Sequence, residues 1–139
     1  LGKNNFGIIH AGWRGTFSGI IENSVKKILK YEDSLNDIHF FVGPHLMKKS
    51  FEVKKDFITT MKNFGLPPKK FLEQNNNRIF FDFSSMIKSK FQKLGVKNLN
   101  ISNEDTFSNP KKFFSYRYYL KKGIKNCGRQ ISLVGIKDN

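Results

Sequence analysis

The sequence predicts a mixed α+β domain, a layered β-sheet with flanking helices, spanning residues 1–139 as one unit. Two observations carry that expectation. Short apolar runs bounded by glycine and proline alternate along the chain with segments whose apolar residues recur at helical spacing. In addition, 139 residues at 38% hydrophobic and 14% aromatic composition supply about one core, enough to bury roughly two-thirds of the unfolded surface. The pattern leaves the strand order open.

Phe6 to Ala11 (Phe-Gly-Ile-Ile-His-Ala) is an apolar run stopped by Gly12, and it reads as a buried strand ending at a turn. Ile20, Ile21, Val25, Ile28 and Leu29 then fall on one helical face, with Thr16 or Ser18 placed to cap and Lys26, Lys27 and Lys30 facing water. Ile38 to Val42 reads as a second buried strand closed by Gly43-Pro44. Phe57, Met61 and Phe64 define a helix ended by Gly65 and Pro67-Pro68. Arg78 to Phe83 alternates as a third strand. Ser84 or Ser85 is placed to cap the next helix, whose Ile87, Phe91 and Leu94 share a face and whose end falls at Gly95. The segment Leu99–Ser102, the polar stretch Asn103–Lys112 and the aromatic segment Phe113–Tyr119 then precede a last strand over Ile131–Ile136. The chain shows no internal repeat, and its biased tracts are lysine-rich or the turn Asn75-Asn76-Asn77.

Twenty-five basic residues against 11 acidic ones give a net charge of +14, which points to a polyanionic partner. Only four of the basic residues are arginine (Arg14, Arg78, Arg117 and Arg129), and the rest are lysine, beside abundant Asn, Phe and Ile. An AT-rich coding sequence produces that mixture without a functional cause. No apolar run approaches the roughly 20 residues that cross a bilayer. The opening Leu1-Gly-Lys-Asn-Asn is neither an initiator methionine nor a signal peptide, so the chain is expected to be a fragment. Cys127 is the single cysteine and cannot form an internal disulfide, which fits a reducing, cytoplasmic location.

The most specific stretch is His10-Ala11-Gly12-Trp13-Arg14-Gly15-Thr16. Two glycines bracket Trp13 and Arg14 at a strand-to-helix junction, so the backbone turns sharply while both side chains project together. A histidine ending a strand with an arginine beside it suits a metal-bound or anionic substrate site. A satisfied histidine and a turn-packing tryptophan fit the same residues equally well.

His-Ala-Gly-Trp-Arg-Gly-Thr resembles the signature of the YfiH family, labelled laccase-domain or multicopper polyphenol oxidoreductase, whose characterised members are purine nucleoside enzymes. Three further motifs follow in the family's order. Gly43-Pro44-His45-Leu46 through Phe51-Glu52-Val53 is similar to its Gly-Pro-x-Ile-x4-Tyr-Glu-Val, with Leu46 and Phe51 in the Ile and Tyr positions. Asp105-Thr106 with Ser108-Asn109-Pro110 and then Phe113-Phe114-Ser115-Tyr116-Arg117 resembles its Phe-Phe-Ser-Tyr-Arg segment, and Gly128-Arg129-Gln130-Ile131-Ser132 its closing strand.

The resemblance implies a zinc-dependent purine nucleoside phosphorylase with adenosine deaminase activity, acting on purine nucleosides and phosphate. It implies a zinc site of two histidines and one cysteine in which His10 is the last ligand, the other two lying upstream of the signature. The chain would then be the carboxy-terminal portion of a member, with an incomplete sheet and no activity alone, and would need the amino-terminal portion to complete the site. Copper, suggested by the older label, does not fit three histidines, too few for a multicopper cluster. Arg14 is the candidate catalytic residue. Arg14, Arg117 and Arg129 are the candidate substrate-binding residues, each offering forked donors to phosphate or purine. At least one of Arg117 and Arg129 is expected to approach Glu52 or Asp105, which could also act as acid or supporting groups. His39, His45 and Cys127 read as structural or surface residues. Phe113, Phe114 and Tyr116 read first as core. No membrane partner is expected. The alternative function is a basic nucleic-acid-binding module without enzymatic activity, from the charge and the basic-aromatic run Lys111–Arg117; the scarcity of arginine leaves only nonspecific binding as its expectation.

Overall fold

The structure is a computed structural model that describes residues 5–32 and 34–135. Its helices are α1 (Trp13–Phe17), α2 (Ile20–Ile28), α3 (Lys55–Asn63), α4 (Pro68–Phe71), α5 (Phe83–Lys93) and α6 (Tyr116–Lys121); its strands are β1 (Phe40–Val42), β2 (Glu52–Val53), β3 (Leu72–Asn75), β4 (Arg78–Phe81) and β5 (Leu99–Ile101). The mixed α+β class is therefore correct. The strands form two small sheets rather than one layer. β1 pairs with β5 in parallel, Phe40 opposite Leu99, and β4 lies between β2 and β3, antiparallel to both.

The β3–β4 hairpin forms because Asn76 and Asn77 both take positive φ, 45° and 60°, as a two-residue turn matched to the strand twist requires. Asn75 pairs with Arg78 at its mouth and Leu72 with Phe81 at its base. That register puts Phe81 into the centre of the core, where it is 0% exposed. Phe57 and Phe51 approach its ring with centroids at 4.9 and 5.1 Å, Phe83 at 5.8 Å and Phe17 at 6.0 Å. Trp13 extends the cluster, 4.7 Å from Phe57 and 5.2 Å from Phe17. The first short helix is thus anchored to the sheet by two aromatic residues one turn apart. On the other side of α5, Phe91 meets Phe40 of β1 at 5.0 Å.

Helix α5 is started by Asp82, whose carboxylate accepts the Ser85 N–H at 2.9 Å. The expected caps, Ser84 and Ser85, lie inside the helix, because Asp82 already offers the acceptor that the first turn needs. The helix ends where expected, at Gly95 with φ 78°, and the Val96 N–H reaches back to Phe91 O at 3.1 Å. Nor do Thr16 and Ser18 cap α2. Their hydroxyls donate backward to Gly12 O and Arg14 O, both at 3.0 Å, and α2 starts after Gly19. α2 docks on α5 through Ile21 and Val25 and through a largely buried ion pair, Lys90 Nζ to Glu22 Oε1 at 2.5 Å.

Two expected strands are not formed. Phe6–Ala11 has no strand structure, and Phe6, Ile8 and Ile9 are exposed. A strand is held by ladder hydrogen bonds to a neighbour, and among the described residues β1 pairs only with β5. The described part of Ile131–Ile136 is likewise irregular, with Ile131 81% and Leu133 83% exposed; Ile136 lies outside the described residues. The strand expected over Ile38–Val42 shortens to Phe40–Val42, and that over Arg78–Phe83 stops at Phe81 because α5 begins two residues later. α1, α4, α6, β2, β3 and β5 were not expected: most are too short to show a period of their own, and Leu72-Glu73-Gln74-Asn75 shows no clean alternation. No described helix is long and apolar enough to cross a membrane.

Phe81→Ala is expected to cost about 3–5 kcal/mol in urea unfolding. Phe41→Ala on β1, where the ring is 74% exposed, should stay within about 0.5 kcal/mol of the parent.

Candidate functional site

His10 and Arg14 flank the start of α1. Gly12, extended at φ −63° and ψ 162°, is its N-cap. The His10 ring folds back over this residue, and a Cβ at position 12 would lie 3.0 Å from His10 Nε2. A side chain there would require the imidazole to shift by a few tenths of an ångström. His10 stands in an exposed loop, which corrects the expectation of a buried strand end. Arg14 is exposed as well, its guanidinium carbon 4.3 Å from the centroid of Trp13. Because Trp13 is fixed against Phe17 and Phe57, this cation–π contact holds the Arg14 fork beside the loop that carries His10.

A second polar centre forms around Asp105, only 4% exposed. Its backbone bridges His45 as a parallel pair, with the Thr106 N–H donating to His45 O at 3.0 Å. Its carboxylate accepts from the hydroxyls of Ser50 at 2.5 Å and Ser108 at 2.6 Å and from the N–H groups of Phe107 at 3.1 Å and Met47 at 3.3 Å. Burial alone pushes this carboxyl up. The four hydrogen bonds, the two hydroxyls foremost, outweigh it and hold the group below its ordinary value. The charge is thus balanced by neutral donors.

Arg117 closes the same loop from the far side. Its Nη1 donates to Glu52 O at 2.5 Å and Ser50 O at 3.4 Å, and its guanidinium lies 5.2 Å from the Phe51 ring centroid. Burial lowers its pKa, and the Glu52 charge opposes that shift. The expected approach to Glu52 is made, through the backbone carbonyl. Arg129 is exposed and donates only locally, to Cys127 O at 2.8 Å and Gly128 O at 3.3 Å. Phe114 and Tyr116 are exposed and Phe113 is half-buried, so none of the three is core; Phe114 leans instead on Tyr119 at 6.4 Å.

The two remaining histidines divide between the surface and structural settings expected of them. His39 is exposed, as a surface residue should be, but His45 is half-buried and hydrogen-bonded through both ring nitrogens, to Gly43 O at 2.9 Å and to Ser84 Oγ at 2.8 Å. Thirty-nine positions separate His45 from Ser84, so no local pattern signals the pair. The same holds for Ser50 and Asp105, whereas Ser108, three residues after Asp105, is a local partner that spacing could have found. Two open cavities flank this region. One, of about 470 Å³, is lined by residues that include Met47, Ser84, Lys88, Lys97 and Asn103; the other, of about 390 Å³, includes Lys48, Lys49, Asp105 and Ser108. His10, Arg14, Arg117 and Arg129 line neither.

The family model described as multi-copper polyphenol oxidoreductase laccase matches residues 2–137. The chain belongs to this family. Its similar relatives in this laccase family include a purine nucleoside phosphorylase of Rickettsia prowazekii, 31% identical over 133 residues, which cover 94% of this chain and 55% of the relative. A purine nucleoside phosphorylase of Staphylococcus epidermidis is 30% identical over 135 residues, 94% of this chain and 48% of the relative. One from Aquifex aeolicus is 31% identical over 110 residues, 79% and 49% respectively. The chain thus spans about half the length of the curated relatives it matches.

Replacing Asp105 tests the loop that it organises. Asp105→Asn turns one acceptor into a donor facing donors and should cost about 1–3 kcal/mol near neutral pH. Because the folded carboxyl titrates below the unfolded one, its contribution is complete above the ordinary carboxylate range. It is lost as pH falls through the folded value. Urea unfolding of the two proteins should therefore give midpoints that differ at pH 7 and draw together as pH falls below the ordinary carboxylate range.

Proposed function

We propose that the chain carries part of the active site of a purine nucleoside phosphorylase, a zinc-dependent enzyme with adenosine deamination as a second activity. The observation that supports this most directly is the family match over residues 2–137 together with relatives that bear that name. In phosphorolysis a phosphate oxygen bonds to C1′ of the nucleoside, the bond from C1′ to the purine nitrogen breaks, and the base leaves with a proton. An anionic phosphate and a neutral nucleoside must therefore be held together. Arg14, presented on the Trp13 face, is assigned to the phosphate or to a purine acceptor, and the exposed Arg129 to the same substrates. Arg117 joins them only through donors other than the Nη1 that holds the two carbonyls. A cytoplasmic location belongs to the same reading.

The described residues do not fit a complete zinc site. They contain no cluster of three His, Cys, Asp or Glu side chains, and a catalytic zinc takes three protein ligands and an open position. His10 is assigned as one ligand, and the reading requires the others from a stretch outside these 139 residues, such as the half that the relatives have in addition. No step through the metal is derived from the residues present.

The 139-residue chain is accordingly expected to hold substoichiometric zinc and to release no hypoxanthine from inosine and phosphate. Joined to the remaining half of the Rickettsia prowazekii relative, it should bind zinc and carry out phosphorolysis. His10→Ala in the joined protein should lose both, and Arg14→Ala should lose turnover while retaining metal. Tight stoichiometric zinc and phosphorolysis by the 139 residues alone would overturn this reading.

A further inference from the structure

The pairing of His45 with Ser84 has a defined polarity. The His45 backbone is fixed on both sides, its N–H donating to Glu104 O at 3.3 Å and its carbonyl accepting from the Thr106 N–H at 3.0 Å. Its Nδ1 lies 2.9 Å from Gly43 O, and a carbonyl only accepts, so Nδ1 carries the ring proton. In the neutral imidazole Nε2 is then an acceptor, and Ser84 Oγ at 2.8 Å donates to it. Phe83 stands edge-on to the ring at 6.0 Å and limits its swing. Among the described residues the Ser84 hydroxyl also lies 3.7 Å from Met47 Sδ, a weaker acceptor than the imidazole nitrogen.

A hydroxyl bonded to an imidazole that is itself oriented by a third group is the arrangement that activates a serine nucleophile. A serine that merely ties a loop to a helix has no need to face a cavity. Ser84 lines an open one, of about 470 Å³, whose lining also includes Lys88, Lys97, Ser102 and Asn103, while His45 stands behind Ser84 and outside that lining. That is within the usual range for a small-molecule site. Lys88 follows Ser84 by one helical turn, on the same face of α5.

From this geometry we propose that Ser84 and His45 form an acyl-transfer site, separate from His10 and Arg14, which hydrolyses small esters bearing a negatively charged group. Ser84 Oγ bonds to the ester carbonyl carbon as its proton passes to His45 Nε2. The bond from that carbon to the alcohol oxygen then breaks, and the alcohol leaves with the proton from His45. A water molecule attacks the acyl-serine by the same route, giving its proton to His45, and releases the carboxylic acid as Ser84 recovers its hydrogen. Water is the only co-reactant. Lys88 and Lys97 receive the anionic end of the substrate, which sets the preference.

The test uses the 139-residue chain and a fluorophosphonate probe, with the modified serine located by peptide mass spectrometry. Ser84 should be labelled at least about 10-fold faster than Ser85, its neighbour in the same cavity lining that has no imidazole partner. His45→Gln should slow labelling by roughly 100-fold, the scale of a lost general base, with thermal unfolding confirming that the variant is folded. Mono-p-nitrophenyl succinate should be hydrolysed faster than p-nitrophenyl acetate, and Lys88→Gln should reduce that ratio. Equal labelling of Ser84 and Ser85, no adduct on Ser84, or an unchanged rate in folded His45→Gln would each overturn the proposal. None of these readouts depends on zinc or nucleosides, so they stand apart from the phosphorylase reading.

Discussion

The structure depends on what surrounds Phe81. A ring that is 0% exposed at the end of a hairpin strand must be enclosed from several directions, and each direction is supplied by a different element. Phe51 arrives from the loop before β2, Phe57 from α3, Phe83 from α5 and Phe17 from α1. Edge-to-face and tilted geometries let these rings fill the space without large voids. The consequence reaches the surface, because Trp13 and Phe17 carry the His10–Arg14 segment onto this cluster. The most recognisable motif of the chain is thus positioned by aromatic packing, with little contribution from its own short helix.

The second constraint is electrostatic and local. The strip from Met47 to Glu52, a single 3-10 turn over Lys48–Ser50 that leads into β2, is held from both sides. Asp105 collects the Met47 N–H and the Ser50 hydroxyl, while Arg117 collects the carbonyls of Ser50 and Glu52. Donors are taken by the anion and acceptors by the cation, so the strip satisfies a buried carboxylate and a half-buried guanidinium that are not paired with each other. An arrangement of this kind is rigid, since moving Ser50 would leave both charged groups short of a partner. His45, bridged to Asp105 through the backbone, inherits that rigidity.

Elements whose signal is local were legible in the sequence. The helices around Val25, Met61 and Ile87 follow from apolar spacing, the end at Gly95 from glycine chemistry and the hairpin turn from the run of asparagines. The Phe6–Ala11 segment failed because periodicity reports which residues can be buried and says nothing of whether a neighbouring strand exists. Leu72–Asn75 failed in the opposite sense: its polar sequence carries no strand pattern, and pairing with Phe81 through Arg78 makes it one. For the site, the signature from His10 to Thr16 was legible as a motif, while its exposed setting was not. The links of Asp105 to Ser50 and of His45 to Ser84 join residues 55 and 39 positions apart, and such pairs exist only once the chain has folded.

These two polar regions differ in a way that bears on their chemistry. His10 and Arg14 are exposed, and a reaction that holds phosphate against a nucleoside needs water excluded and donors preorganised. Under the proposed function, that enclosure must come from residues outside the matched half of the relatives, together with the missing ligands. His45 and Ser84, by contrast, are already fixed by carbonyl, backbone bridge and helix within the described residues, and Ser84 lines an open cavity. Preorganisation in the folded chain therefore favours the serine–histidine pair as the site able to act without further protein, whereas the proposed function asks the His10 motif to work within a larger whole.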